Sequence, residues 1–250
     1  MKLNLKILKI MIFSLVPITF VMLSTNLVKA EKETYSVFAK LPLLGEVQVQ
    51  NIETNFTISN NEFNYSYNVE PTKLVDFFDN KISNGYIKGK IINKKINPDV
   101  YFYRSKKDDF ERSIKINYRD GRITDVNIDP IYDISKITNV TNDMIYNSID
   151  PVTMFYLITN FDNVKNCDFT LNIYDGKRRY DLILSNPIED NNFFSCTITH
   201  KKVAGYKPEK IKKNEKYISD LKFIISQSGQ YIFQEVSLRD NDIDLIIKKN

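Results

Sequence analysis

Histidine and cysteine, the residues that most often carry catalysis or hold a metal ion, are scarce in this 250-residue chain, which has one histidine and two cysteines. Three-histidine zinc sites, four-cysteine clusters and iron–sulfur centres built from this chain alone are therefore excluded. His200 continues an apolar alternation at the end of a predicted strand, and no Gly-x-Ser-x-Gly elbow supplies it with a nucleophile. We predict no catalytic residue, no cofactor and a protein that is not an enzyme.

Carboxylates are the other candidates for chemistry. An acid–base pair would have to come from four aspartates: Asp150, Asp168, Asp175 and Asp181. The sequence places no two of them within working distance, and Asp150 and Asp175 already fit structural roles as a helix cap and a turn residue. The stretch 207–216 holds five lysines with two glutamates interleaved. This mixture indicates a solvated loop rather than a nucleic-acid surface.

The first thirty residues have the three-part form of an export signal. Three lysines precede an apolar stretch over 10–23, and Ala30 ends the segment. We predict cleavage after Ala30, so that 1–30 is a signal peptide and 31–250 is a single β-rich periplasmic domain. The apolar stretch contains Pro17 and is shorter than the roughly 20 residues of a membrane-spanning helix, although an uncleaved anchor is the alternative. No run in 31–250 is long enough to predict a transmembrane segment in the mature chain.

The net charge of the chain comes from this leading segment. The whole chain has 35 Lys+Arg and 31 Asp+Glu, which gives a formal charge of +4. Residues 1–30 contain four lysines and no acidic residue, so their removal leaves 31 basic and 31 acidic residues. A formally neutral mature chain gives no support to a polyanionic ligand, and we predict no nucleic-acid partner.

The two cysteines would meet an oxidising compartment after export, where paired thiols persist as disulfides. Cys167 and Cys196 each lie on the apolar face of a predicted strand. We predict a disulfide between them, and the alternative is two buried free thiols. A redox-active pair is disfavoured because the Cys-x-x-Cys spacing is missing.

Alternating polar and apolar residues dominate the chain after residue 33 and predict antiparallel strands with one buried face. The predicted fold class is all-β to β-rich, with a curved antiparallel sheet that forms a half-open barrel or β-roll under two short covering helices. The span 129–148 has no clear period and is the one candidate for an internal boundary. The predicted strands cover 34–41, 46–50, 53–58, 62–69, 85–92, 100–104, 112–118, 122–128, 168–174, 177–184, 193–200, 221–226, 230–238 and 243–248.

Each of the two predicted helices has a start motif and an apolar stripe. The first begins at Pro71, stops at Asn84-Gly85 and carries four apolar residues on one face: Leu74, Val75, Phe78 and Ile82. The second begins at Asp150-Pro151 and carries three: Val152, Phe155 and Ile158. Both helices are expected to cover the sheet.

Two Asp-Gly pairs predict hairpin turns. At Asp175-Gly176, a two-residue turn leaves one face of the hairpin apolar. At Asp120-Gly121, a two-residue turn would place isoleucines opposite polar residues, so we predict a three-residue loop over 119–121 that pairs Ile114 with Val126.

A series of short motifs runs from Asp150 onward. The motifs are Asp150-Pro151-Val152-Thr153, Cys167-Asp168, Thr170-Leu171, Tyr174-Asp175-Gly176-Lys177-Arg178-Arg179-Tyr180-Asp181-Leu182, Cys196 and Ala204-Gly205-Tyr206-Lys207-Pro208. Over roughly 150–210 this series resembles the exported bacterial family catalogued as domain of unknown function 3108, in its alphaproteobacterial form. The resemblance implies a β-rich periplasmic or envelope protein. It carries over no catalytic residue, because the family has no assigned activity.

Two hypotheses for function remain. The first is a non-catalytic binding or carrier protein, whose curved sheet encloses an apolar cavity for a hydrophobic or lipid-like ligand. The alternative is an envelope structural or assembly factor that acts through protein–protein contacts. Its candidate interaction face is Lys177, Arg179 and Asp181, which the alternation places on an outer face. Folding explains these residues least, since an exposed ion pair adds only about 0 to 1 kcal/mol.

Overall fold

The computed structural model describes residues 29–41, 45–76, 80–93, 95–212, 217–240 and 243–250. Within these ranges the chain forms one antiparallel sheet of 13 strands, with five short helices in the connections. The strands are β1 (Lys29–Leu41), β2 (Gly45–Ser59), β3 (Glu62–Pro71), β4 (Ile82–Ile92), β5 (Lys95–Lys107), β6 (Phe110–Arg119), β7 (Arg122–Asp129), β8 (Phe169–Tyr174), β9 (Arg179–Glu189), β10 (Phe193–Ala204), β11 (Tyr217–Ile225), β12 (Tyr231–Asp240) and β13 (Ile243–Lys249). The helices are α1 (Lys73–Asp76), α2 (Asn142–Ile145), α3 (Pro151–Thr159), α4 (Phe161–Val164) and α5 (Pro208–Lys212).

The first and last strands are neighbours near the centre of the sheet, where Tyr35 pairs with Lys249 and Val37 with Ile247. From there β1 to β7 run in sequence order to one edge. The chain then crosses to the opposite edge and returns from β8 to β13. The sheet is not closed into a barrel, because β7 and β8 remain its two ends. The predicted curved antiparallel sheet is thus confirmed.

The crossing segment between β7 and β8 bonds to both edges of the sheet. At one edge the Ile123 amide donates to the Tyr146 carbonyl over 3.2 Å. At the other edge the Ile149 amide donates to Asn172 over 2.8 Å, and the Tyr174 amide donates to Ile149 over 2.9 Å. This segment includes the aperiodic span 129–148, and it occupies hydrogen-bonding groups that open edges would otherwise present.

The apolar residues form two buried clusters, one on each half of the sheet. The first includes Phe194, Leu221 and Phe223 from β10 and β11. The second includes Ile87 and Ile116 from β4 and β6. Helix α3 joins them: Ile158 belongs to the first cluster, while Val152 belongs to the second. The predicted helix after Asp150 is confirmed in its start, its apolar face and its covering position.

The first predicted helix is largely wrong. Among the described residues of this span only Lys73–Asp76 is helical, and Ile82 to Gly85 belong to β4, where Gly85 pairs with Tyr67. Phe78 lies outside the described residues. Pairing with β3 and β5 overrides the helical stripe, and Gly85 is needed for close packing rather than as a helix stop. A Cβ at Gly85 would lie 2.2 Å from the Phe102 carbonyl oxygen, a distance too short for any side chain.

Both predicted turns differ from the observed turns by a register shift. In the first, Asp120 and Gly121 form a two-residue turn with φ values of 52° and 73°. The bulge lies further along, beside Asn117, so Ile114 pairs with Ile128 rather than with Val126. The predicted three-residue loop is therefore wrong, although a bulge does keep isoleucine opposite apolar residues.

The β8–β9 turn has four residues, 175–178, because Tyr174 pairs with Arg179. Asp175 Oδ1 accepts the backbone N–H groups of Lys177 at 2.8 Å and Arg178 at 2.6 Å. This Asx-type turn outcompetes the two-residue turn that Asp-Gly predicts. The shift is two residues, so the same side chains still face the core.

The two strands predicted over 46–50 and 53–58 are one continuous strand, β2. The predicted signal peptide falls on residues 1–28, outside the described residues, and on Lys29 and Ala30, which begin β1. Among the helices that the described ranges contain, none combines the length and apolarity needed to cross a membrane.

Candidate functional site

The two cysteines lie at disulfide-bonding distance, with Cα atoms 5.8 Å apart. Both are buried: Cys167 precedes the edge strand β8, and Cys196 lies in β10. The pair therefore ties the start of β8 to a strand two positions away, across β9. The covalent bond between the two sulfur atoms stays a prediction.

The predicted interaction face is not exposed at Arg179, which keeps only 7% of its surface accessible. Its Nε donates to the Met144 carbonyl over 3.0 Å, and its Nη1 donates to the Tyr180 carbonyl and to Asp181 Oδ1, each over 2.6 Å. The Asp181 side chain is 15% exposed. The expected exposure is therefore wrong for Arg179 and Asp181, because α2 packs over this end of β8 and β9, which strand alternation does not reveal.

Lys177, the third residue of that face, is partly exposed at the turn between β8 and β9. Its Nζ lies 4.8 Å from the centroid of the Tyr132 ring. Lys177 also lines a basic pocket, described below, so the structure separates it from the buried Arg179–Asp181 pair.

Asp150 caps α3 from a buried position. Its Oδ1 accepts the amides of Val152 at 2.9 Å and Thr153 at 2.8 Å. Its Oδ2 accepts the hydroxyls of Thr153 at 2.6 Å and Tyr118 at 3.0 Å. Burial raises the pKa of the Asp150 carboxyl, and the bonds from Thr153 and Tyr118 only partly offset that rise. This network serves the helix start, as the sequence predicts.

We expect Asp150 to make stability depend on pH. Because its pKa is raised on folding, the folded state holds the proton more tightly than the unfolded chain does. Its contribution is complete below the unfolded pKa of about 3.9 and is lost as pH rises through the folded pKa. The stability gap between wild type and Asp150→Asn should thus be larger at about pH 3 than at about pH 7, as measured by urea unfolding. A gap that widens with pH would show the carboxylate to be stabilised as an anion.

His200, which continues the apolar alternation of its predicted strand, is partly buried near the end of β10. Its Nε2 lies 3.4 Å from the Tyr206 hydroxyl, and its ring meets Tyr180 edge to face at 4.8 Å. Both contacts are with tyrosines that line the same pocket as His200. Its surroundings therefore fit a pocket-wall role.

A cavity of about 330 Å³ lies between α3 and the strands β2, β3, β5 and β6. Its lining is mostly apolar and includes Ile52, Val69, Ile114, Val152 and Phe155. We call it the tyrosine cavity after five tyrosines in its wall: Tyr65, Tyr67, Tyr101, Tyr103 and Tyr132. Its volume is at the lower end of the roughly 300 to 1,000 Å³ typical of small-molecule sites.

Two tyrosines of this cavity, Tyr67 and Tyr101, stay neutral. Burial raises the pKa values of Tyr67 and Tyr101, whose hydroxyls bond to each other. An apolar wall with a few neutral hydroxyls suits a hydrophobic molecule that has a small polar group. Sequence reasoning did not name the residues of this site, although Tyr-x-Tyr pairs in β3 and β5, the two strands that flank β4, each place both tyrosines on one face of the strand.

A second cavity, of about 490 Å³, lies at the β8–β10 end of the sheet. Its floor is apolar and comprises Met154, Tyr180, Leu182, Ile198 and Leu245. We call it the basic pocket, since its rim carries five cationic side chains: Lys177, Arg178, Lys202, Lys207 and Lys210. Helix α3 lines both this pocket and the tyrosine cavity, and Asp175 borders both.

A third cavity, of about 790 Å³, is more polar and lies beside β1, α4 and β12. Tyr35 donates a hydrogen bond to Glu33, and Lys249 pairs with the same carboxylate. Glu33 is therefore already engaged by two neighbours. The ring of Phe161 stacks on Tyr231 with centroids 3.7 Å apart, which fixes α4 against β12.

The sheet defines a β-barrel-like class of protein. A solved structure with this architecture is the crystal structure of a beta-barrel-like protein of domain of unknown function DUF1849 from Brucella abortus, with a TM-score of 0.50 and 8% identity. The match covers 88% of this chain and 95% of that chain, and it shows the fold alone. The resemblance to domain of unknown function 3108 is not confirmed. No family model and no curated protein matches the sequence.

Proposed function

We propose that the protein is a non-catalytic binding or carrier protein, exported to the periplasm, that holds a hydrophobic or lipid-like ligand within its curved sheet. The observation that carries this proposal is the tyrosine cavity, an apolar space of about 330 Å³ between α3 and the sheet. Protein interiors are close-packed and contain few voids larger than a water molecule. A cavity of this size with an apolar wall is therefore suited to a ligand.

Filling the cavity tests the proposal. We expect Ile52→Phe to weaken binding of the apolar fluorescent probe N-phenylnaphthylamine at least about tenfold, because the larger ring occupies space that the probe needs. Ile82→Phe is the matched control, since Ile82 is 43% exposed in β4. Native mass spectrometry of protein extracted gently from its host should also show a co-purifying apolar molecule. The proposal would be contradicted if the protein is reproducibly empty, binds the probe weakly, and shows the same probe affinity after the Ile52→Phe substitution.

Export is tested separately, through the mature N-terminus. We expect intact-mass measurement of the secreted protein to place the first residue at Glu31. Cleavage there removes Lys29 and Ala30, which pair with Ile58 and Thr57 at the start of β1, and leaves the rest of the β1–β2 ladder in place. Retention of 1–30 in protein from the host would contradict cleavage after Ala30.

The alternative function, an envelope assembly factor, has weaker support. Its candidate face was to be Lys177, Arg179 and Asp181, yet Arg179 is engaged with both the Asp181 carboxylate and the Met144 carbonyl. The burial of Arg179 and Asp181 gives these two side chains a structural role, which strand alternation in the sequence did not reveal. A carrier function is therefore the better proposal for the chain as folded.

A further inference from the structure

The rim of the basic pocket is assembled at Gly205. This residue has a φ of +81°, and a Cβ placed on it would lie 2.1 Å from the Lys177 carbonyl oxygen and 2.7 Å from Arg178 Cα. The chain after β10 therefore packs against the 175–178 turn with no room for a side chain. This contact brings Lys177 and Arg178 to the same mouth as Lys202 and Lys207.

A third segment fixes the contact. The Thr138 amide donates to the Tyr206 carbonyl over 2.8 Å, and the Gly205 amide donates to the Thr138 carbonyl over 3.1 Å. Ile137, the neighbour of Thr138, lines the pocket. Three segments distant in sequence thus form one rim, with backbone hydrogen bonds to hold it.

The charge of this rim is unbalanced. Five cationic side chains line the pocket, and Asp175 is the one carboxylate among its described lining residues. Asp175 Oδ1 is already bonded to the amides of Lys177 and Arg178. Two of the cations lie over the Tyr206 ring: Arg178 Cζ is 5.5 Å and Lys202 Nζ is 5.7 Å from the ring centroid. Gathered like charges repel one another, and an anion at the mouth relieves that repulsion.

The floor beneath the rim is apolar. Leu182 and Ile198 are buried in the sheet, and Met154 from α3 and Leu245 from β13 complete the surface. The pocket volume of about 490 Å³ exceeds that of the tyrosine cavity. Cations at a mouth and hydrocarbon beneath are complementary to a molecule with an anionic head and an apolar chain.

We propose that the basic pocket binds a single-chain anionic amphiphile, with its carboxylate or phosphate at the cationic rim and its hydrocarbon chain on the apolar floor. The site goes beyond the proposed function, because it has its own lining and shares only Asp175 with the tyrosine cavity among the described lining residues. A fatty acid and a phosphate monoester both present this chemistry, and the experiment separates them.

Isothermal titration of the mature protein tests the head group, with dodecanoate and dodecyl phosphate below their micelle concentrations and dodecanol below its solubility limit. We expect either or both anionic compounds to bind at least about tenfold more tightly than dodecanol, and added salt to reduce this preference. The tighter of the two anions identifies the head-group class. Octanoate should bind more weakly than dodecanoate if the floor holds the chain, and inorganic phosphate should bind most weakly.

Charge removal on the rim is the decisive comparison. Lys207→Gln/Lys210→Gln should weaken binding of the preferred anion about tenfold and leave dodecanol unaffected, since each cation near an anionic group contributes by attraction. Both side chains are exposed, so the variant is expected to fold. The matched control is Lys90→Gln/Lys115→Gln, which removes the same charge from exposed positions on β4 and β6. Equal losses in the two variants, or no preference for anions, would overturn the proposal.

The two cavities are separated by their own variants. If the basic pocket is the anion site, Ile52→Phe weakens N-phenylnaphthylamine binding but not binding of the preferred anion. If only the proposed function holds, Ile52→Phe abolishes binding of every amphiphile, and Lys207→Gln/Lys210→Gln changes none. These variants can therefore contradict one proposal while still supporting the other.

Discussion

Replacing Arg179 with alanine is expected to lower the free energy of unfolding by about 3 to 5 kcal/mol, the range found when one partner of a buried ion pair is removed. Arg179 is 7% exposed and donates to Asp181 and to two backbone carbonyls. The variant leaves the Asp181 carboxylate without its cation and removes one of two donors from the Met144 carbonyl, which keeps the Ser148 hydroxyl. Urea unfolding followed by circular dichroism measures the loss, since the chain has no tryptophan.

Arg178→Ala is the matched control, because it removes the same side chain from the adjacent, exposed position. The Arg178 guanidinium lies over the Tyr206 ring, so we expect its removal to lower the free energy of unfolding by less than about 1 kcal/mol. The double variant Arg179→Ala/Asp181→Ala should lose less than the sum of its single losses, because the stranded charge is then gone. Equal effects of Arg179→Ala and Arg178→Ala would show that the pair at Arg179 is solvated.

The sheet could be predicted because period-two alternation records which face of each strand is buried. Ile114 and Ile116 alternate with polar residues in β6, and both are buried in the structure. Helix α3 could be predicted because its cap residue, Asp150, and the proline after it act locally. Local chemistry of this kind is visible in one sequence.

Strand register, and the replacement of a predicted helix by a strand, could not be predicted in the same way. A shift of two residues keeps every side chain on its face, so the apolar pattern of β8 and β9 fits either turn. Ile82 fits a helical stripe that Asn84-Gly85 would end, but Ser83 to Gly85 pair with strands on both sides. The bonds from the Lys177 and Arg178 amides to Asp175 decided the first case, and long-range pairing decided the second. Neither leaves a mark in the apolar pattern.

The sequence predicted an apolar cavity but not the residues that line the cavities, for a related reason. The sequence shows that Gly205 follows a strand and that Lys177 follows an Asp-Gly pair, but not that the two turns touch. The buried state of Arg179 was missed because alternation describes only what a strand does with its own two faces. Segment 142–150 covers one of those faces, and its sequence has no period that would reveal this contact.

Removing the cysteine pair is the second change with a large expected effect. We expect Cys167→Ala/Cys196→Ala to lower the free energy of unfolding by about 3 to 4 kcal/mol, as the chain-entropy model gives for a closed loop of this length. The cysteines are 29 residues apart in sequence, and their Cα atoms are 5.8 Å apart. The loss acts mainly on the unfolded chain, so the urea m-value should rise as the unfolded chain expands.

Alkylation shows whether the bond exists in the protein. Denatured protein from the periplasm should take up no iodoacetamide until it is reduced, and two labels afterwards. The bond joins Cys167, two residues before β8, to Cys196 in β10. Its loss should therefore speed amide exchange in β8, an edge strand, more than in the central pair β1 and β13. Two labels without reductant would contradict the disulfide. Uniformly faster exchange would instead show that the pair stabilises the whole sheet, rather than holding its β8 edge in place.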